Sequence, residues 1–318
     1  MWKELLSEDR LVSAPKINAS LGVWTDYCEL LCVSLDSGQI DIDEISSIVI
    51  KSSDFQSEDE NNQTKNRKER ITSVLEDVYG HISLRNNMLS ERYPFTINTD
   101  GQICLKSSSL SKIQKLYIVL LLSSNLRYIK NCHSLTSDFE VICLLYMKQL
   151  FPSMVFKLFG SSNTNGLLPA ENYISDTKLK ERIFKLSEFI SVLYDKEDVE
   201  KLSDYDHGDG GLDIVGIRNM GDNRKSIPVM YGQCACSREE WAQKQFSLSD
   251  TQWGKFLKVW STSIQKYIFI PYWYMNSDKQ FENELKITSC VLVDRLRLMN
   301  LANESFVSNC CSLIEEYK

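Results

Sequence analysis

The feature that most constrains this chain is a pair of short apolar runs in its second half. Residues 212–217 read LDIVGI and residues 227–237 read IPVMYGQCACS, with the polar stretch 218–226 between them. Runs of this length, bounded by glycine and polar turn residues, are typical of β-strands, and two in succession predict a hairpin. Asp213 and Gln233 interrupt the two runs, so the predicted hairpin carries a carboxylate and an amide.

The positions of these two polar residues suggest chemistry. Asp213 follows Gly210 and Gly211, which can adopt positive φ and let the backbone turn sharply beside a ligand. If Asp213 and Gln233 are neighbours across the hairpin, their oxygens can converge on a hard cation such as Mg²⁺. Turn chemistry explains Asp213 equally well. The amide is harder to explain structurally, because burying one without hydrogen bonds costs about 1–3 kcal/mol.

The rest of the second half alternates helices and strands. Ser137 and Asp138 are possible caps of a core helix that ends at Pro152. The predicted order is helix, strand, inserted helix, strand, strand, helix, strand. The other predicted elements are a strand at 154–161, a loop at 161–172, a helix at 179–195, a helix at 251–264 and a strand at 267–274.

The first half predicts a separate accessory domain. Residues 1–133 contain several stretches with apolar residues at helical spacing and no visible catalytic constellation. Residues 93–106 predict a hairpin with its turn at Asp100 and Gly101. Residues 51–70 are polar and almost free of aliphatic side chains, which predicts a mobile loop. We therefore expect a mainly helical domain over 1–133 and a second domain with C-terminal helices over 134–318.

Charge and hydropathy limit the partners and the location. The formal net charge is −7 and the pI is about 5.2, which excludes the uniformly basic surface of a free-standing DNA-binding protein. The basic groups at 65–70 and 218–225 are more often solvated surface. Without an apolar stretch of about 18 residues or a basic leader, we expect a cytoplasmic protein that does not contact a membrane. Walker and GxSxG motifs are absent from the sequence, which argues against ATP hydrolysis and serine chemistry.

Cysteines offer an alternative metal site. The chain has ten cysteines, most in an apolar context that is typical of buried free thiols. Structural zinc remains an alternative at Cys234 with Cys236 or at Cys310 with Cys311. Neither pair has the two-residue spacing of a zinc knuckle, so we expect free thiols.

Several residues near the hairpin have a simpler structural interpretation. His207 and Asp209 lie in the glycine-rich segment before Asp213, where an exposed histidine and a turn aspartate explain them without a metal. Trp241, Trp253 and Trp260 could stack on nucleobases, but aromatic residues at helical spacing more often belong to a core.

Three motifs in this order resemble the PD-(D/E)XK nuclease superfamily. They are DFE with Glu140 on the predicted helix, GGLDIVG with Asp213, and YGQCA with Gln233. The variant in which glutamine takes the third position resembles Mrr-like restriction endonucleases, and the downstream Trp241 and Lys244 resemble nuclease-like proteins of bacterial anti-phage systems. The resemblance covers roughly residues 135–273. It implies an α/β, restriction-endonuclease-like mixed central sheet flanked by helices.

The resemblance also implies roles for individual residues. Glu140, Asp213 and Gln233 would hold Mg²⁺, for which Mn²⁺ could substitute, and the metal would activate water to cleave a phosphodiester bond in DNA. The family's lysine should lie two residues after Gln233, where this chain has Ala235. Either the site is inactive, or the ammonium has moved to Lys244 on the following helix. Arg238 is a weaker substitute, because its planar guanidinium differs in shape and hydration.

Two further functions stay open at this point. We expect a DNA endonuclease effector that a protein partner, such as an ATP-driven DNA sensor in a defence complex, brings to its substrate. An inactive nuclease-fold subunit for DNA binding or complex assembly is the alternative that Ala235 favours. A pure protein-interaction module fits the acidic pI but leaves Asp213 and Gln233 without a role.

Overall fold

The structure is a computed structural model, and the chain divides into two compact units. Most of the first unit is Met1–Leu135 with Tyr272–Glu282, and the second is Thr136–Pro271 with Asn283–Leu313. The segment Tyr272–Glu282 thus belongs to the first unit, although the sequence assigned it to the second domain. The residues that the structure describes are 2–51, 63–130, 133–160, 168–203, 205, 208–222, 224–258 and 264–310.

The first unit is mainly helical and holds one small antiparallel sheet. The predicted hairpin over 93–106 is present, with its turn at Gly101, where φ is +75°. A third strand pairs with the second strand of this hairpin, so the sheet order is β1-β3-β2. The elements are α1 (Trp2–Leu5), α2 (Glu8–Leu11), α3 (Leu21–Ser34), β1 (Gln39–Ile40), α4 (Ile42–Lys51), α5 (Gln63–Leu89), β2 (Phe95–Ile97), β3 (Ile103–Leu105) and α6 (Lys112–Ser123).

The predicted mobile loop at 51–70 is wrong for its described part. Residues 63–70 form the first turns of α5, a helix of 27 residues, whereas 52–62 lie outside the described residues. This stretch lacks aliphatic residues but also lacks glycine and proline, and its Lys, Arg, Glu and Gln residues favour helix. Among the helices that the structure describes, none combines the length and apolarity needed to cross a membrane.

A fully buried ion-pair network lies in the core of the first unit. The Arg85 guanidinium on α5 donates to Asp26 at 2.7 Å and to Glu29 at 2.8 Å, both on α3. Glu29 also accepts hydrogen bonds from the hydroxyls of Tyr93, at 2.5 Å, and Tyr117, at 2.9 Å. Removing one partner from such a network leaves an uncompensated buried charge, so these residues fix how α3, α5 and α6 pack.

The second unit is built on a six-stranded mixed sheet flanked by helices, which confirms the expected α/β class. Its elements follow the order that the sequence predicts, with added short elements. They are α7 (His133–Leu150), β4 (Val155–Gly160), β5 (Tyr173–Ser175), α8 (Leu179–Phe189), β6 (Leu193–Tyr194), α9 (Lys196–Glu200), β7 (Ile214–Ile217), β8 (Val229–Cys234), α10 (Trp241–Lys244), α11 (Asp250–Trp253), β9 (Leu257–Lys258), β10 (Gln265–Phe269), β11 (Val291–Val293), α12 (Arg295–Leu301) and α13 (Glu304–Asn309).

The strand order of this sheet is β11-β10-β8-β7-β4-β5. The three central strands β4, β7 and β8 form an antiparallel meander, and β10 continues it parallel to β8. The predicted hairpin is therefore formed by β7 and β8 at the centre of the sheet. Most residues of β7 and β8 are buried, at consecutive positions that point to opposite faces, as in a sheet covered on both faces.

Three predicted helices differ from the structure. The helix expected over 179–195 ends at Phe189, and residues 193–194 form strand β6. α7 begins at His133, so Ser137 and Asp138 lie inside the helix rather than capping it, and Asp138 is fully buried. The helix expected over 251–264 is wrong for 254–258, because α11 ends at Trp253 and the chain continues into strand β9, whereas 259–263 lie outside the described residues. Leu257, which the apolar spacing placed on a helix face, lies in this short strand and pairs with β6.

The core of the second unit includes two of the tryptophans considered as stacking platforms. Trp241 and Trp253 are 1% and 2% exposed, which confirms their structural interpretation. Trp253 packs against the buried Tyr231 of β8 and Phe159 of β4. Trp260 lies outside the described residues.

The close packing of β7 on β4 predicts a strong effect of a small substitution. A Cβ on Gly216 would lie 2.1 Å from Cε1 of Phe156, whereas a Cβ on Gly160 would meet nothing within 4 Å. We expect Gly216→Ala to lower the free energy of unfolding by about 1–3 kcal/mol, because the ring must shift in a packed sheet. Gly160→Ala is the matched control. Urea unfolding followed by circular dichroism measures both, and equal losses would contradict this packing.

Candidate functional site

The candidate site is centred on Asp213, at the start of β7. The last register pair of the hairpin is Ile214 with Gly232, so the chain brings Asp213 beside the end of β8. The Asp213 carboxylate accepts a hydrogen bond from the backbone N–H of Cys234 at 2.6 Å. Its backbone N–H donates to the carbonyl of Gly232 at 3.0 Å. Asp213 is only 6% exposed, so the hairpin holds a carboxylate away from water.

Glu140 on α7 supplies a second carboxylate to this site. Its pKa is raised to about 7, first by burial and then by the negative charge of Asp209, while the positive charge of Lys244 acts in the opposite direction. The pKa of Asp213 lies well above its usual range, first because of burial and then because of Glu140 and Asp209. Glu140 and Asp213, 73 residues apart in sequence, are therefore close enough to oppose each other's ionisation.

Lys244, at the end of α10, is the cation of the site. Its charge lowers the pKa of both Glu140 and Asp213, so its ammonium group lies near both carboxylates. Ala235, the position where the family resemblance implies a lysine, is fully buried and donates its backbone N–H to Phe269 at 2.9 Å. The one lysine that acts on both carboxylates in the described part of the chain thus comes from the helix after β8.

Asp209 is a member of this site that the sequence did not predict. Its carboxylate accepts the N–H of Gly211 at 2.6 Å, as its interpretation as a turn residue requires. The same carboxylate raises the pKa of Glu140 and Asp213, so it also adds negative charge to the site. A turn aspartate that acts on two other carboxylates cannot be recognised without the three-dimensional arrangement. His207 lies outside the described residues.

Gln233 is 5% exposed, and its side-chain amide is enclosed by oxygen atoms. One end of the amide lies 2.5 Å from Oγ of Ser247, 2.5 Å from the carbonyl oxygen of Lys244 and 3.3 Å from that of Gly211. Both carbonyls can only accept, so this end is the amide nitrogen, which donates to them. The predicted role of Gln233 as a metal ligand stays a prediction, whereas its contact with the Lys244 backbone is a feature of the structure.

Ser247 contacts the same two carbonyl groups, those of Gly211 and Lys244, and it is a second site residue that the sequence did not predict. Its hydroxyl lies 3.0 Å from the carbonyl oxygen of Gly211 and 2.7 Å from that of Lys244. Gly211 has φ +76°, and a Cβ at this position would lie 2.3 Å from Ser247 Oγ. Only glycine therefore allows the loop before Asp213 to pack against Ser247. Gln252 holds the preceding residue through a 3.0 Å hydrogen bond to the carbonyl of Gly210.

Thiols line one side of the site. Cys143 on α7 and Cys234 on β8 are hydrogen-bonded to each other, and burial raises the pKa of both. They are therefore neutral thiols rather than thiolate ligands. Seven of the described cysteines are free thiols, as the sequence predicts: Cys28, Cys32, Cys104, Cys143, Cys234, Cys236 and Cys290.

The donor atoms of the site are suited to a hard cation. Glu140 and Asp213 offer carboxylate oxygens whose raised pKa values show a surplus of buried negative charge, which a bound cation would neutralise. Across the described ranges, however, no three His, Cys, Asp or Glu side chains are grouped closely enough to hold a metal ion as they stand. Completing a coordination shell would require water or a substrate phosphate, both of which Mg²⁺ commonly retains as ligands.

No protein-family model matches the chain, and searches of curated proteins and of solved structures found no significant match. Of the four predicted site residues, Glu140, Asp213 and Lys244 interact through their charges, and Gln233 contacts the backbone of Lys244.

The raised pKa of Glu140 predicts how the stability of the metal-free protein depends on pH. The folded state keeps the Glu140 proton up to about pH 7, whereas the unfolded chain loses it near 4.5. The stabilisation is complete below the unfolded pKa and is lost as pH rises through the folded one. Between pH 4.5 and 8 the parent should therefore lose up to about 3 kcal/mol more than Glu140→Gln.

Urea unfolding at a series of pH values, with a chelator present, measures this difference. Glu188→Gln, which changes an exposed glutamate on α8, is the control and should follow the parent at every pH. If Glu140→Gln loses as much stability as the parent over this range, Glu140 does not carry a proton near neutral pH.

Proposed function

We propose that this protein hydrolyses phosphodiester bonds in DNA with the help of a divalent metal ion. The observation that carries the proposal is the electrostatic cluster in which Glu140 and Asp213 oppose each other's ionisation beside Lys244. Perturbed carboxylates with a nearby ammonium group are a common arrangement in active sites, although structural networks can produce it too. Here the two carboxylates are those that the PD-(D/E)XK resemblance selects, and Lys244 is the lysine expected to replace the one missing at Ala235.

The order of elements supports a restriction-endonuclease-like fold for the second unit. α7, β4, β7, β8, the helical segment α10–α11 and β10 follow one another as helix, strand, strand, strand, helix, strand. The carboxylates come from α7 and from the start of β7, and β8 follows as the third strand. The site thus joins residues from the elements on which the family motifs lie. The insertion between β4 and β7 is a departure that enlarges the unit.

In this proposal Glu140 and Asp213 hold the metal, with Mg²⁺ as the expected ion and Mn²⁺ as a substitute. A bound Mg²⁺ would lower the pKa of water and neutralise charge on the scissile phosphate. Asp209 is exposed at the rim of the site and adds negative charge that attracts the cation. Burial of Asp213 by the hairpin excludes water from one side of the carboxylate and keeps its orientation fixed by the Cys234 N–H.

Lys244 supplies the ammonium group that the family resemblance implies. It acts on both carboxylates, and it can orient an attacking water or stabilise the negative charge that develops on the phosphate. The backbone of Lys244 is held by two side chains, so its position relative to β8 is restrained. This restraint favours a displaced lysine over an inactive site.

DNA binding requires positive charge from elsewhere. The chain has a net charge of −7, and the described carboxylates of the site repel phosphate until a cation is bound. Arg218 and Lys225 at the exposed tip of the β7–β8 hairpin can contribute only locally. A protein partner that holds DNA, for example an ATP-driven DNA sensor in an antiviral defence complex, would provide the remaining attraction.

An inactive nuclease-fold subunit is the second candidate function. The observation that favours it is the fully buried Ala235 at the lysine position, together with a described site in which no three ligand side chains are grouped. Such a subunit would bind DNA or assemble with partners without cutting. The two functions differ in whether a change at Asp213 affects cleavage.

Asp213→Asn should lower the rate of Mg²⁺-dependent DNA cleavage by roughly 10²–10³-fold, because it removes one charged metal ligand. The asparagine keeps the volume and an oxygen that can accept the Cys234 N–H, so folding should be preserved. Cleavage of labelled DNA by the full chain, alone and with co-purified partners, measures the effect.

Asp222→Asn is the matched control, since Asp222 is an aspartate at the exposed tip of the same hairpin. It should cleave like the parent. A parent that shows no cleavage with any partner, or an Asp213→Asn variant that cuts at the parental rate, would contradict the nuclease function and favour the inactive subunit.

A further inference from the structure

We infer that Gln233 is a positioning residue, which ties the loop before Asp213 to the turn that carries Lys244, rather than a metal ligand. This inference rests on the proposed function and concerns the same site. The two charged groups come from different elements: Asp213 follows a glycine loop, and Lys244 ends α10. The Gln233 side chain, on β8, contacts the backbone of both segments.

The amide nitrogen of Gln233 contacts the backbone of both segments. It faces the carbonyl oxygen of Lys244 at 2.5 Å and that of Gly211 at 3.3 Å. An amide nitrogen has two hydrogens, which are enough for two of the three acceptors around it, these carbonyls and Oγ of Ser247. One side chain therefore connects a residue two positions before Asp213 with Lys244 itself.

The Ser247 side chain also connects the Gly211 loop with Lys244. Its hydroxyl lies within hydrogen-bonding distance of the same two carbonyl oxygens, at 3.0 Å for Gly211 and 2.7 Å for Lys244. Oγ of Ser247 also lies 2.5 Å from the Gln233 amide. The amide nitrogen and the hydroxyl together carry three hydrogens, so Ser247 donates to one carbonyl, while the amide donates to the other carbonyl and to Oγ of Ser247. The two side chains thus form a closed network whose members restrain each other.

The amide oxygen of Gln233 is poorly placed to bind a metal ion. With the nitrogen facing the carbonyls, the amide oxygen faces hydrogen-bond donors. An oxygen that accepts hydrogen bonds inside the protein has fewer lone pairs for a cation. Gln233 is also 5% exposed, so water or a hydrated ion has little access to it.

This arrangement explains why the position is a glutamine rather than an acid. A glutamate has the same shape but cannot donate, and its carboxylate would face the carbonyl oxygens of Lys244 and Gly211. The substitution Gln233→Glu therefore distinguishes the two roles by opposite signs. For a metal ligand, the added charge should tighten metal binding and maintain or increase cleavage. For a positioning residue, it should break the connection and decrease cleavage.

The first experiment compares Gln233→Glu with the parent in the full chain, by calorimetric titration with Mn²⁺ and by Mg²⁺-dependent DNA cleavage. We expect cleavage to decrease about tenfold or more without tighter metal binding. A Gln233→Glu variant that binds Mn²⁺ more tightly and cleaves as fast as the parent would overturn the inference.

The second experiment follows Lys244 directly and does not depend on cleavage. The rate at which an amine-reactive acetylating reagent modifies Lys244, read by mass spectrometry, reports how firmly its turn is held. Gln233→Glu should raise this rate several-fold. Ser247→Ala tests the same network from its other member, in case a buried glutamate prevents folding, and should also raise the rate. Gln252→Glu, which loses a donor to Gly210 but does not contact Lys244, should leave it unchanged.

The two experiments separate the possible failures. Unchanged modification of Lys244 in both Gln233→Glu and Ser247→Ala would overturn the positioning role, whatever the cleavage assay shows. Faster modification in these variants, in a parent that never cleaves DNA, would support the positioning role while contradicting the proposed nuclease. The outcome for the network and the outcome for the reaction are thus measured independently.

Discussion

The constraint on which the site depends is the register of the β7–β8 hairpin. With Ile214 opposite Gly232, Asp213 meets the end of β8, where the N–H of Cys234 donates to its carboxylate at 2.6 Å. A shift of one residue would turn every side chain of the strand to the other face of the sheet and remove this contact. Because both strands have neighbours on both sides, the register is fixed by the whole sheet. The position of the carboxylate is therefore a property of the core.

The second consequence of this packing is electrostatic. Burying Asp213 beside Glu140, with Asp209 at the rim, concentrates negative charge that Lys244 only partly balances. Without a bound cation the folded chain reduces the cost by keeping protons near neutral pH, as the raised pKa values show. A fold that was selected only for stability would gain from neutral side chains here. Retaining the charges is the physical argument for a cation site.

Part of this arrangement could be predicted from sequence. The hairpin, its two polar residues and the order of helices and strands follow from local periodicity and turn residues, which are properties of neighbouring positions. Glu140 and Asp213 were selected as site residues by the order of the motifs, and Lys244 as the nearest lysine after them. In the structure their charges interact. The sequence could not indicate Ser247 or the role of Asp209, because both depend on the path of the glycine loop through Gly211.

The errors have physical causes as well. The polar stretch at 63–70 is helical because its residues have high helix propensity. Residues 257–258 of the helix predicted after Trp253 form a short strand, because pairing with β6 overrides the apolar spacing. The metal-ligand role of Gln233 is not one of these errors: it rests on motif order and stays a prediction, whereas the hydrogen bonds of its amide are tertiary and could not be predicted from the sequence.

The most direct test of the account is a crystal structure of the protein soaked with Mn²⁺ near pH 7.5, with the metal located by anomalous scattering. We predict a single strong peak within about 2.0–2.6 Å of carboxylate oxygens from both Glu140 and Asp213, with the Gln233 amide still on the Lys244 carbonyl. The absence of a peak between these two carboxylates, at a Mn²⁺ concentration that occupies other sites, would contradict the central claim.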